Sequence, residues 1–163
     1  MAMLGSACLP FDLGPVEEPP PPVNVHPRIE ESSVRPQGAR IDLSKEIGCR
    51  IKLAVGVVND ADVDDVLSAR WFIDFDYNPG ASNPIYHQHE LENRGRPERV
   101  GSEFEFVGLN YPPGLHTVEV VFSDGFAGSG GPRKVQDGKG SDVYRWFIDS
   151  TLVTKDRCAE TVQ

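Results

Sequence analysis

Five residues occur twice in this chain. Arg70-Trp71-Phe72-Ile73-Asp74 returns as Arg145-Trp146-Phe147-Ile148-Asp149, and the two copies hold both tryptophans. Each copy sits in an alternating stretch. Leu67, Ala69, Trp71, Ile73 and Phe75 fall on one face, with Ser68, Arg70, Phe72, Asp74 and Asp76 on the other. In the second copy Tyr144, Trp146 and Ile148 share a face. Period-two alternation predicts strands of an antiparallel sheet with one packed face. Leu115 to Ser123 lies between the copies and alternates too, with His116, Val118, Val120 and Phe122 inward. Two tryptophan strands flanking this third one in a single sheet is the arrangement that most constrains the fold.

Further strands are expected at Arg40–Leu43, at Cys49–Val58 and at Glu103–Val107 with Phe104 and Phe106 inward. In the second of these, Ile51, Leu53, Val55 and Val57 point one way and Lys52, Ala54, Gly56 and Val58 the other. Residues 77–100 break the pattern with Asn78-Pro79-Gly80, Asn83-Pro84 and Gly95-Arg96-Pro97, as a long irregular excursion does. One further strand is left open within it. Sixteen glycines and fourteen prolines suit a turn-rich β protein. The length of 163 residues fits one domain with some tail.

No apolar run approaches the ~20 residues that a spanning helix needs. The net charge of −9, without a basic stripe, argues against nucleic acid as a partner. No Gly-x-Ser-x-Gly elbow and no phosphate-binding glycine loop before a helix is present, so an enzyme is not expected. Gly128-Ser129-Gly130-Gly131 joins two strands and reads as flexibility in a hairpin connection.

Leu4-Gly5-Ser6-Ala7-Cys8 resembles the end of a bacterial lipoprotein signal peptide, in which small residues precede a cysteine that becomes lipidated. Residues 9–35 follow as a proline-rich linker that includes Pro19-Pro20-Pro21-Pro22. Such a segment is expected to be a disordered, extended tether reaching ~50 Å at ~3 Å per residue. A cysteine, a proline-rich spacer and a β domain is the layout of many envelope lipoproteins.

Pro113-Gly114-Leu115 through Ser123-Asp124-Gly125 resembles the penultimate strand of bacterial immunoglobulin-like and PKD-like domains. Asn59-Asp60-Ala61-Asp62 leading to Arg70-Trp71-Phe72 resembles the acidic turn before the tryptophan strand of the same group. The resemblance implies an all-β fold, a single antiparallel immunoglobulin-like β-sandwich over residues 36–154, with a C-terminal tail at 155–163. It further implies that the strand at 115–123 is central between the two tryptophan strands. No cysteine lies on that strand, which excludes the antibody disulfide pattern. In such a sandwich Cys49 and Cys158 lie at one end, so a disulfide between them is feasible. Cys8 is then left for lipid.

Three candidate sites remain. Asp60, Asp62 and Asp64 have the spacing of carboxylates that converge on calcium as a cofactor; an Asx-stabilised turn is the competing reading. His87 and His89, with Glu90, carry a metal-site spacing and the alternative of a small metal-dependent enzyme. Phe72, Val121 and Phe147 point away from the expected core as an apolar stripe. Arg70, Asp74, Glu119, Arg145 and Asp149 rim it, as at many protein-binding surfaces. The competing reading has residues 77–100 or the tether folded over that stripe. The resemblance implies a non-enzymatic envelope lipoprotein, a protein-binding or structural module anchored by lipid at the outer membrane and facing a protein partner. A calcium-stabilised adhesion or carbohydrate-binding module is the alternative.

Overall fold

A computed structural model describes residues 23–160, apart from Ala39, Pro79, Gly80, Asn93 and Gly130. Cys8 and most of the proline-rich linker lie outside the described residues. The fold is all-β with one short helix, α1 (Lys155–Glu160). Its strands are β1 (Arg28–Ile29), β2 (Val34–Arg35), β3 (Arg40–Asp42), β4 (Arg50–Asn59) and β5 (Ser68–Ile73), then β6 (His87–Glu90), β7 (Glu98–Val107), β8 (Leu115–Ser123) and β9 (Ser141–Asp149).

Two sheets result. In one, β4 is flanked by β7 on one side and by the short β1 and β2 on the other, all antiparallel. The other has the order β3-β9-β8-β5-β6. As the repeat predicts, the two tryptophan strands flank β8. Trp71 pairs with Val120, and Trp146 pairs with Val118. The indoles stack at 5.7 Å between ring centroids, and Trp71 stacks on Phe104 of the facing sheet at 5.4 Å. Trp71 Nε1 also donates to Ser102 Oγ at 2.7 Å, so this one side chain ties the sheets by packing and by a hydrogen bond. Each fully buried indole removes ~200 Å² from water, about 4–5 kcal/mol of hydrophobic stabilisation.

Several expectations change. The sheet is not wholly antiparallel, because β3 runs parallel to β9 with Ile41 opposite Ile148. The linker ends earlier than residue 35. Arg28–Ile29 and Val34–Arg35 pair with β4, whose free edge takes them up. The irregular excursion contains β6 and the first residues of β7. The glycine-rich connection after β8 is a hydrogen-bonded hairpin, closed by Ala127 N to Lys134 O at 2.8 Å and Gln136 N to Gly125 O at 2.9 Å.

Side-chain parity also shifts at two points. In β4 the core receives Leu53, Val55 and then Val58, not Val57; in β7 it receives Phe106, Ser102 and then Arg99. The switch falls on both strands at Gly56 and Gly101, where a Cβ on Gly101 would lie 1.9 Å from the Val55 carbonyl oxygen. The backbones approach too closely there for any side chain, and the pleat restarts one residue later. The second shift is at Asp74, whose φ of 50° ends β5 and turns Phe75 to the outer face. Asp74 holds this bend by bonding across to β8. Its Oδ1 accepts from Thr117 N at 2.8 Å, and its N donates to Thr117 O at 2.8 Å.

The described part of the C-terminal tail, Lys155–Glu160, is fixed. Cys49 and Cys158 are joined by a disulfide, both buried, which docks α1 beside the turn before β4. The opposite end of the body receives the chain from its N-terminal side. There Asn24 Nδ2 donates to Asp124 Oδ2 at 2.7 Å, and Ile29 N donates to Asp142 Oδ2 at 2.9 Å.

Candidate functional site

The site is built on the outer face of β5, β8 and β9. Registry places Phe72 opposite Glu119 and Glu119 opposite Arg145. Arg70 stands opposite Val121, and Thr117 opposite Phe147. Phe72, Val121, Phe147, Arg70, Glu119 and Arg145 therefore share one face, as expected, but they do not form an open stripe. Phe72 and Val121 are each only 1% exposed, whereas Phe147 is 40% exposed.

Two segments cover the stripe. The bend at Asp74 returns Phe75 over the sheet, where its ring meets Phe72 edge-on at 5.1 Å and Tyr77 at 4.9 Å. Asn83 then closes the loop on Asp76, its Oδ1 accepting from Asp76 N at 2.7 Å. The second cover is the β8–β9 hairpin. Arg70 lies over the Phe126 ring at 4.0 Å, donates to the Pro132 carbonyl and bonds Gln88 Oε1 through Nε at 2.9 Å. Burial holds its guanidinium below the ordinary value. Arg70 is thus a clamp for the cover, not a free rim charge.

The two covers meet at Glu119. Its side chain is 1% exposed, and it accepts from Arg145 Nε at 2.6 Å and from Arg133 Nη1 at 2.9 Å. Tyr77 OH lies 3.1 Å from Glu119 Oε2 and accepts from Arg145 Nη2 at 3.0 Å and from Arg133 Nη1. A buried carboxylate survives only when its lone pairs are satisfied, and here two guanidiniums and a phenol do so. The hydrogen bond to Glu119 raises the Arg145 guanidinium above its ordinary value. Beside this cluster a pocket of about 410 Å³ opens, lined by Asp74, Phe75, Tyr77, Thr117, Glu119, Arg145 and Phe147. The walls are aromatic and the polar lining is mixed, Asp74 and Glu119 against Arg145, which suits an apolar group that carries neutral hydrogen-bonding atoms.

The other candidates lack convergence. Among the described residues no group of three or more His, Cys, Asp and Glu could hold a metal ion. In the Asp60–Asp64 turn, two of the carboxylates accept from backbone amides rather than converge on one point. Asp60 Oδ1 accepts from Asp62 N at 3.0 Å, and Asp62 Oδ2 accepts from Val25 N at 2.6 Å. The carbonyl of Asp64 accepts from Arg94 Nε at 3.0 Å. Lys139 already places its ammonium 2.9 Å from Asp65 Oδ2, where a cation would go. Asp60 is buried with Oδ2 lacking a partner, and desolvation raises its carboxyl above the usual range.

In β6 the alternation of a strand sends His87 and His89 to one face, rings 5.1 Å apart, and Glu90 to the other. His116 cannot join them. Its ring nitrogens pair with Asp74 Oδ2 at 2.7 Å and with the Pro112 carbonyl at 2.8 Å. Burial, and then the His87 charge, lower the His89 imidazole below its ordinary value.

Phe75, Tyr77 and Arg133 were not readable as site residues. Alternation assigned Phe75 to the core face until the bend at Asp74 inverted it, while Tyr77 and Arg133 belong to segments without periodicity and reach Glu119 across 42 and 14 residues. The one signal was Glu119 itself, an acidic residue in the middle of the most apolar strand. Compared with protein-family models, with curated proteins and with solved structures, the chain matches none.

Proposed function

We propose that the chain is a non-enzymatic binding or structural module of the bacterial cell envelope. It is an immunoglobulin-like β-sandwich held by a proline-rich tether to a lipid on Cys8. The observation that carries this reading is the buried Cys49–Cys158 disulfide. Such bonds persist in oxidising compartments. The pairing also leaves Cys8 as the one cysteine outside it, in a setting that resembles a lipoprotein signal end. Two sheets around a stacked tryptophan pair, with β8 between β5 and β9, support the sandwich reading. The binding face is the pocket beside Glu119, and its partner is a protein segment that offers an apolar group to Phe75, Tyr77 and Phe147.

The test is metabolic labelling with a palmitate analogue in a bacterial host, followed by fractionation. Label on the wild-type protein, lost in Cys8→Ser together with membrane association, is the expected result. An unlabelled protein in the cytoplasmic fraction with free thiols at Cys49 and Cys158 defeats the proposal.

A further inference from the structure

We propose that His87 and His89 form a two-imidazole chelate for one divalent cation of the zinc and copper class, with the remaining coordination positions open to water. This site is separate from the pocket beside Glu119 and does not depend on a lipid at Cys8.

Strand geometry brings the pair together. β6 is extended, so residues two apart project to one side, ~6.7 Å from each other along the chain. The two rings come closer than that, to 5.1 Å between centroids with 39° between their planes. Two imidazoles on one tetrahedral ion, at ~2.1 Å per nitrogen, place their centroids ~5 Å apart. Gln88 between them turns to the opposite face, where its Oε1 accepts from Arg70 Nε at 2.9 Å. His89 Nδ1 is shielded from solvent and has no hydrogen-bond partner among the described residues. A buried ring nitrogen without a partner is costly, and a bound ion is one of the few groups that satisfies it. In the tautomer with its proton on Nε2, Nδ1 offers that ion a lone pair.

Position leaves the pair reachable. Registry sets His87 opposite Trp71 and His89 opposite Ala69, both fully buried, so the rings stand on the core side at the rim between the two sheets. β6 is the last strand in its sheet and His87 is exposed, which gives a cation its way in. Among the described residues no third side chain completes a larger set. Glu90 projects to the other face, and His116 has both ring nitrogens on Asp74 and Pro112. The donors are therefore neutral nitrogens, which favour zinc or copper over the oxygen-seeking calcium and magnesium. Two protein ligands leave positions free for exchange, unlike a closed four-ligand structural site. The chelate needs β6 extended, so a bound cation also stabilises this edge of the sheet by mass action.

The experiment uses the full chain with ¹³C-labelled histidine, stripped of metal with EDTA, exchanged into clean buffer and titrated with zinc chloride. The other histidines are internal controls, because His26 is exposed with no histidine two residues away and His116 is already paired. The expected result is that the ring resonances of His87 and His89 move together and saturate at one equivalent, while those of His26 and His116 stay in place. His87→Ala and His89→Ala each weaken binding about a hundredfold, since either change removes the intramolecular second ligand. Glu90→Ala leaves the affinity unchanged, and unmoved β4 amides show that each variant is folded. Zinc that shifts no ring at millimolar concentration, shifts His87 alone, or shifts His26 as much as the pair overturns the chelate. Saturation at half an equivalent gives one ion to four imidazoles of two copies and overturns the single-chain site.

Discussion

Glu119 is the residue on which the outer face turns. Removing it leaves Arg133 and Arg145 facing each other and Tyr77 without its acceptor. A fully buried pair broken this way costs ~3–5 kcal/mol, but these arginines are 21% and 41% exposed and regain some hydration. Glu119→Ala is therefore expected to lower stability by about 2–3 kcal/mol in urea denaturation. The loss is accompanied by faster proteolysis at the loop that carries Tyr77. Asp60 behaves in the opposite sense. Burial raises its folded carboxyl, so the folded state takes up its proton more readily than the unfolded state. Its contribution is fully present below the unfolded carboxylate range and is lost as pH rises through the raised folded value. Asp60→Asn keeps an Oδ1 acceptor for Asp62 N and removes the buried charge. Stability at neutral pH rises in this variant, and its pH profile in mild acid flattens, both measured by thermal unfolding across pH. An unchanged profile refutes the assignment.

The elements differ in how openly the sequence declares them. β4, β5, β8 and β9 were legible because one face of each meets a core, and burial enforces a period of two. The neighbours of β8 followed from the repeated pentapeptide. β1 and β2 were not legible, since two-residue pairings carry no period and are stabilised by the free edge of β4. The stripe of Phe72, Val121 and Phe147 was legible as a face, with a cover by residues 77–100 as the competing reading, but the part of Phe75 in that cover was not, because Asp74 inverts parity through a backbone angle that no alternation reveals. The same limit hid the switch at Gly56 and Gly101. Gly101→Ala forces a Cβ to 1.9 Å from a backbone oxygen that cannot rotate away. It is expected to cost about 3 kcal/mol, the upper end for overpacking, while Gly114→Ala, with open space at its Cβ, costs far less. Equal losses in the two variants refute the close-approach account. The disulfide acts on another element. It bridges 109 residues, for which loop-closure entropy gives about 4–5 kcal/mol. Cys49→Ser with Cys158→Ser lowers the melting temperature accordingly, and amide exchange in α1 rises before that of β8.

At the scale of the molecule, the fold has two different ends. One carries the β4–β5 turn, the β8–β9 hairpin and the incoming segment from Val23, held by Asp62, Asp124 and Asp142. The other carries Cys49, α1 and the turn from Gly108 to Gly114. Residues from Val23 onward therefore belong to the body, although composition alone assigns them as far as residue 35 to a linker. An anchored chain should detach as one unit when cut before that point. Glu17-Glu18 offers a glutamate-specific protease one such peptide bond, since the Glu18–Pro19 bond resists cleavage. Membranes that bear the lipidated protein, treated briefly with this protease, are expected to release a single soluble fragment that begins at Glu18. The fragment keeps the Cys49–Cys158 bond and the two-sheet body. Failure to release any fragment, with Glu17-Glu18 demonstrably cut, means that a second attachment to the membrane lies in the body, and the anchor at Cys8 is then not the one that holds the protein.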